Sequence, residues 1–148
     1  MTSRYGSYDR PSFLRRLGIA FYDVLLSVSF VLVIASITQV IIFAINGGGA
    51  AEIKPNSILS YFFFAYYLFL GFAFFGWFWA HGGQTLGMRA WKVKVANFDG
   101  SALNWQQAFT RYVFMVIFSI VGLLSVLFDK EQLALHDRLS KTQLIYLG

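Results

Sequence analysis

Three long apolar segments dominate the chain, and polar or charged stretches separate them. The first runs from about Leu17 to Ile45, the second from Ile58 to Ala80 and the third from Tyr112 to Phe128. A helix rises about 1.5 Å per residue and a hydrocarbon core is about 30 Å thick, so a span needs about 20 apolar residues. The first two segments reach that length. The third has only the minimum, and it is predicted either to cross the bilayer or to bend and re-enter it.

Between the second and third segments the pattern changes to an alternation of apolar and basic residues. "WKVKV", Trp91 to Val95, has the period of two that is typical of a strand, and "NFDG", Asn97 to Gly100, supplies turn residues. With "SALNW" following, we predict a short cytoplasmic β-hairpin, to which "TQLIYL" at Thr142 to Leu147 adds a third strand. The predicted fold is an all-α membrane protein that forms one domain over residues 1–148, with this hairpin between segments two and three.

The composition supports a membrane protein. Hydrophobic residues make up 57% of the chain and charged residues 13%, against about 45–50% and about 25% in soluble domains. Such a chain cannot cover its surface with polar groups, so the lipid bilayer is its expected partner. The absence of cysteine excludes disulfides and thiolate ligands. The net charge of +5 does not indicate nucleic acid, because the basic residues flank the apolar runs, where they face anionic headgroups.

The distribution of lysine and arginine predicts the orientation. The N-terminal flank is rich in arginine, the loop after segment one has a single lysine, and the loop after segment two is basic. These residues are, in that order, Arg4, Arg10, Arg15 and Arg16; Lys54; and Arg89, Lys92 and Lys94. The positive-inside rule then places the N-terminus in the cytoplasm of a multi-pass protein of the plasma (inner) membrane. The tail is also basic, although three complete spans would place it outside.

The stretch "HGGQTLGMR", His81 to Arg89, has the glycine spacing of a phosphate-binding loop. That loop needs a lysine and then a hydroxyl residue after its second glycine, and Met88 and Arg89 occupy those positions. The stretch also follows an aromatic helix rather than a strand. It is therefore not a nucleotide site, and Gly82 and Gly83 are predicted to end the second helix through a left-handed turn.

Asp23 is the only charged residue in the first apolar segment. A carboxylate in hydrocarbon costs at least about 2.5 kcal/mol, so Asp23 is expected to face other helices and to have a partner. Ser27 and Thr38 lie on the same stripe. The aspartate is either half of a structural pair that locks helix packing or a proton- or cation-binding group in a translocation path. We predict an Asp23–Arg111 contact, with Arg16 directed outward to headgroups or to the tail.

Enzymatic chemistry is not expected. The pair His136–Asp137 lacks further ligands, since the only other histidine is His81, and neither a metal site nor a cofactor is predicted. No serine has a triad, and the carboxylates are too scattered for a hydrolytic pair. The small residues Ala73, Gly76 and Ala80 instead form a narrow face on the second helix, where another membrane helix is able to approach closely.

Three blocks of the sequence together resemble the RDD family, whose name refers to one arginine and two aspartates. They are "RRLGIAFYD" at Arg15–Asp23, "GGQTLGMRAWKVKVANFDGSALNWQQAFTRY" at Gly82–Tyr112 and "LFDKEQLALHDRL" at Leu127–Leu139. The resemblance assigns the arginine to Arg16 and the aspartates to Asp23 and Asp137. Departures from the family pattern occur at Met88 and at Ser140–Thr142. The resemblance implies a small integral membrane protein of bacterial type and leaves the activity open.

Two functional hypotheses follow. In the first, the protein translocates protons or monovalent cations with Asp23, in a charge network with Arg16, Arg111 and Asp137. Three membrane spans are too few to enclose a translocation pathway, so this hypothesis needs a homo-oligomer. In the second, the protein is a non-catalytic scaffold or accessory subunit that binds a membrane protein partner.

Overall fold

The computed structural model describes residues 8–49 and 53–148, and it confirms the mostly helical fold with a small sheet. Arg4 lies outside the described residues. The elements are α1 (Phe13–Ile45), α2 (Ile58–Ala80), α3 (Leu86–Ala90), β1 (Val93–Asn97), α4 (Trp105–Leu124, followed by a 3₁₀ turn at Ser125–Leu127), α5 (Leu135–Leu139) and β2 (Thr142–Tyr146). Among these described residues, three helices are long and apolar enough to cross a membrane: α1, α2 and α4 with its 3₁₀ turn.

Helices α1 and α2 form an antiparallel pair. The Phe30 and Phe74 rings lie 5.7 Å apart, and the hydroxyls of Thr38 and Tyr66 are 3.0 Å apart. This register places the end of α2, at Ala80, about level with Val24 of α1. The segment Val24–Ile45 is about 33 Å long at about 1.5 Å per residue, which matches a hydrocarbon core. The turns of α1 before Val24 therefore extend beyond the end of α2.

The N-terminal turns of α1 pack on one side, through Arg16, Ile19 and Asp23, against α3, α5 and the sheet. We call α3, α5 and the sheet together the interfacial unit. Strand β1 pairs antiparallel with β2, from Val93 opposite Tyr146 to Asn97 opposite Thr142. A strand was expected at Trp91–Val95, and β1 overlaps this stretch. Its partner is the C-terminal strand rather than "SALNW", so β1 is not part of a hairpin. The reason is local: Asn104 and Gln107 form a reciprocal capping box that begins α4 where the second strand was predicted.

Helix α4 is broken at Ser119, whose φ of +38° and ψ of −118° are not helical. Its first residue, Trp105, contacts His81 at the end of α2. Beyond its far end, the Gln132 carbonyl accepts a hydrogen bond of 2.8 Å from Arg16. A straight helix from Trp105 to Leu127 would be about 33 Å long, whereas the five following residues reach at most about 17 Å. The segment therefore doubles back, and its two ends lie on one side of the molecule.

The folded-back segment predicts that Asp9 and Lys141 face the same side of the membrane. Because the chain contains no cysteine, Asp9→Cys, Gly49→Cys and Lys141→Cys each introduce a single labelling site at an exposed position. In sealed vesicles of one orientation, a membrane-impermeant maleimide should label positions 9 and 141 both or neither, and position 49 should show the opposite result. Labelling of position 141 together with position 49 would show a third complete span.

Candidate functional site

A buried carboxylate, that of Asp137 in α5, lies at the centre of the interfacial unit. It accepts hydrogen bonds from Arg111 Nη1 at 2.5 Å and from Arg16 Nη1 at 3.2 Å. A third comes from the backbone N–H of Ala134 at 3.0 Å. All three charged side chains are at most 2% exposed. We call Arg16, Arg111 and Asp137 the arginine–aspartate cluster; it joins α1, α4 and α5.

Both arginines also bind other parts of the chain. Arg16 donates through Nε to the Pro11 carbonyl at 3.2 Å, and its bond to Gln132 fixes the segment that precedes α5. Arg111 donates to Thr142 Oγ1 at 2.6 Å, and its guanidinium carbon lies 5.3 Å from the centre of the Trp79 ring. The cluster therefore also connects α2 and the start of β2 to α1 and α4.

The electrostatics of the cluster keep Asp137 ionised. Burial alone would raise the pKa of this carboxyl, but the charges of Arg111 and Arg16 and the Ala134 N–H hold it well below its usual range. The neighbouring His136 Nε2 lies 3.6 Å from Asp137 Oδ1. Burial, with the two arginine charges adding to it, lowers the pKa of His136 to about 4. At neutral pH this imidazole is uncharged, and the cluster has an excess of one positive charge.

Asp23 lies in a second polar site, which has neutral partners. Its carboxylate accepts from Thr85 Oγ1 at 2.5 Å and from the Gly87 N–H at 3.0 Å. Thr85 Oγ1 in turn accepts from the Met88 N–H and so caps α3. A Cβ at position 87 would lie 2.7 Å from the Asp23 carboxylate, so only glycine allows α3 to approach α1 this closely. Asp23 thus attaches α3 to α1.

These contacts correct one prediction and confirm another. The Asp23–Arg111 contact is wrong: the returning tail places Asp137 beside Arg111, and α3 supplies the partners of Asp23. Arg16 binds the tail, which was one of its two predicted partners, but its side chain is buried against Asp137 rather than directed outward. Sequence reasoning missed Thr85, Gly87 and Thr142 as partners. A threonine just before "LGMRA" was a readable helix-cap signal, but nothing local indicated Thr142.

The polar stripe on α1 does not form a connected path. Ser27 Oγ donates to the Val24 carbonyl at 3.1 Å. Thr38 Oγ1 donates to the Ile34 carbonyl at 2.8 Å, and its other contact is Tyr66. Each hydroxyl thus satisfies a carbonyl of its own helix, and Thr38 also links α1 to α2.

The helix contact at Ala73, Gly76 and Ala80 stays a prediction. Gly76 is buried, and a Cβ built on it would meet the Phe72 ring of the same helix at 2.8 Å. In residues 8–49 and 53–148, no group of three or more histidine, aspartate or glutamate side chains is arranged to hold a metal ion. In "HGGQTLGMR", Gly83 has the left-handed φ of +70° that was predicted to end α2, whereas Gly82 does not.

The fold and the site define a class of protein: a small membrane protein in which two arginines and two aspartates attach an interfacial unit to apolar helices. The particular family follows from a comparison with family models, in which the RDD family matches residues 10–141. The chain belongs to the RDD family. Arg16, Asp23 and Asp137, which the resemblance assigns to the family's arginine and two aspartates, all lie within the matched residues. The structure brings Arg16 and Asp137 into direct contact. No curated protein and no solved structure gave a match.

Replacing Asp137 should destabilise the fold strongly. Asp137→Asn leaves two buried guanidinium groups without a counter-charge, and breaking such a buried pair costs about 3–5 kcal/mol. The free energy of unfolding in mild detergent measures this loss. Glu131→Gln is the matched control, because Glu131 is a half-exposed partner of Arg10 in the same tail; its effect should stay below about 1 kcal/mol. Equal effects of the two substitutions would contradict a central role for Asp137.

The buried His136 predicts a loss of stability in mild acid. The unfolded chain binds a proton at this residue below pH of about 6.5, whereas the folded chain does so only near pH 4. The unfolded state is therefore favoured as the pH falls between these values, by about 2 kcal/mol at pH 5. Thermal unfolding at pH 7.5 and pH 5 should show this loss in the wild type and a smaller one in His136→Gln. The control His81→Gln, at an exposed histidine, should behave as the wild type.

Proposed function

We propose that this protein is a non-catalytic membrane scaffold or accessory subunit. In this proposal, the interfacial unit is held rigidly at the ends of α1 and α2 and presented to a membrane partner. One observation carries the proposal: the buried charged side chains all bind groups of their own chain. They are Arg16, Arg111, Asp137 and Asp23. These bonds join α1, α3, α4, α5 and β2, so the charges serve assembly of the unit.

The surroundings of Asp23 support the same proposal. A translocation site must exchange its partners with water or with a passing ion, whereas both oxygens of Asp23 are engaged by α3. The hydroxyls of Ser27 and Thr38 bond to carbonyls of their own helix and do not extend the site into the span. Asp23 itself lies near the level of the α2 terminus rather than in the middle of the span.

One observation favours the competing proposal, translocation of protons or monovalent cations. Asp23 is only 4% exposed, and its hydrogen bonds come from a hydroxyl and a backbone N–H, with no ion pair to it among the described residues. A buried carboxylate with neutral partners is suited to accept a proton or a cation. This proposal requires a polar path through the bilayer, which a second copy or another subunit has to complete.

Two substitutions separate the proposals. Asp23→Asn removes the ionisable group, whereas Thr85→Val removes the Thr85–Asp23 hydrogen bond and the Thr85 cap of α3 and leaves the carboxylate in place. A scaffold predicts no flux of protons driven by Na⁺, K⁺ or Li⁺ in proteoliposomes of the wild type. It also predicts that both variants are destabilised, each by about 1–3 kcal/mol, and that both lose a stoichiometric membrane partner on copurification.

Translocation predicts a different result. Wild-type flux that persists in folded Thr85→Val and disappears in folded Asp23→Asn would overturn the scaffold proposal and identify Asp23 as the coupling carboxylate. Absence of flux together with a stoichiometric partner that copurifies with the wild type would establish the scaffold.

A further inference from the structure

An exposed apolar stripe runs along α1 from the span to the first turn of the helix. Its members share one helical face, with spacings of three and four residues, and all are about half-exposed or more: Leu14, Leu17, Phe21, Val24 and Val28. Leu14 is about 15 Å beyond the level of Val24 along the axis. Exposed leucines at that height need a lipid environment, so the bilayer surface extends along α1 to the interfacial unit.

The interfacial unit continues this apolar surface. Trp91, directly after α3, packs on α1 so closely that a Cβ at Gly18 would lie 2.6 Å from its ring, yet the side chain is 38% exposed. Leu86 and Leu147 are exposed as well. Tryptophan with exposed leucines is the composition that proteins use at the boundary between headgroups and acyl chains.

Three basic residues lie among these apolar side chains. Arg89 lies in the last turn of α3, and Lys92 is the second residue after the helix; both are exposed. The Lys92 carbonyl accepts the Leu147 N–H at 2.8 Å, which places Lys92 next to Tyr146. The guanidinium of Arg15 lies 3.9 Å from the centre of the Tyr146 ring. Over the described ranges, no ion pair involves Arg15, Arg89 or Lys92.

Acidic residues are scarce on this surface. Asp9 is the one that the hydrogen bonds place there, since its carbonyl accepts the Tyr146 N–H at 2.7 Å and its side chain is exposed. Three cations against one carboxylate leave the surface positive. Phosphate groups of anionic lipids complement that charge, and the acyl chains below them complement the leucines and Trp91.

We propose that the interfacial unit binds anionic phospholipid through this surface, which we call the basic face: Arg15, Arg89 and Lys92 with Leu86, Trp91 and Leu147. The lipid phosphate lies between Arg89, Lys92 and Arg15, and its acyl chains lie along the exposed stripe of α1. This binding does not depend on the scaffold proposal, because it uses none of the residues of the arginine–aspartate cluster and none at Asp23.

The test measures lipid binding to the full-length protein in mild detergent, with dioleoyl phosphatidylglycerol as the probe and dioleoyl phosphatidylcholine as the neutral comparison. Each basic residue near an anionic surface contributes about fivefold to affinity. The double variant Arg89→Gln/Lys92→Gln should therefore bind phosphatidylglycerol about 25-fold more weakly and phosphatidylcholine unchanged. The charge-conserving variant Arg89→Lys/Lys92→Arg should keep the preference.

The matched control is Lys54→Gln/Lys141→Gln, which removes two exposed lysines away from the basic face and should retain the wild-type preference. If the double variant does not fold, the binding of both lipids to the wild type is measured with added NaCl instead. Screening by the salt should abolish the preference of the wild type for phosphatidylglycerol. Equal affinity of the wild type for both lipids, an equal loss in the control, or a salt-independent preference would overturn the proposal. Competition by inorganic phosphate alone at comparable concentration would reassign the face to a free anion and also overturn it.

Discussion

The bond between Asp137 and the two arginines is the interaction on which the rest of the structure depends. It joins the start of α1, the first half of α4 and the C-terminal tail, which are far apart in sequence. Two buried guanidinium groups repel each other, so the carboxylate is what allows them to share one site. With Asp137 fixed between them, β2 is brought beside β1, and α4 has to double back. The shape of the third apolar segment is thus a consequence of a charge placed beyond its end.

The second aspartate performs a comparable task with different chemistry. Asp23 holds α3 by a hydroxyl and a backbone N–H, and the absence of a side chain at Gly87 permits the close approach. The two attachments lie on one stripe of α1, where Arg16, Ile19 and Asp23 are buried. One helix therefore organises both halves of the interfacial unit.

The features that could be predicted from the sequence are those that the length and periodicity of apolar segments determine, namely the positions of helices and strands. Ile58–Ala80 was predicted with the bounds that the structure has. The strand near Val93 was predicted from its alternation of apolar and basic residues, and Thr142–Leu147 was predicted as an additional strand. What failed were long-range pairings. The partner of β1 lies more than forty residues away. A bend in the third segment was one of its two predicted alternatives, but local pattern did not indicate that the returning tail places Asp137 beside Arg111. Family resemblance singled out Arg16, Asp23 and Asp137, but which of them touch depends on how the tail returns.

The bend at Ser119 also determines the outline of the molecule. Helices α1 and α2 extend through the whole hydrocarbon core. The folded-back segment formed by α4 and its 3₁₀ turn extends only part of the way, because it reverses at Ser119. The cross-section of the protein in the plane of the membrane is consequently larger in the leaflet next to the interfacial unit than in the opposite leaflet. A body with such a taper displaces unequal numbers of lipids from the two leaflets.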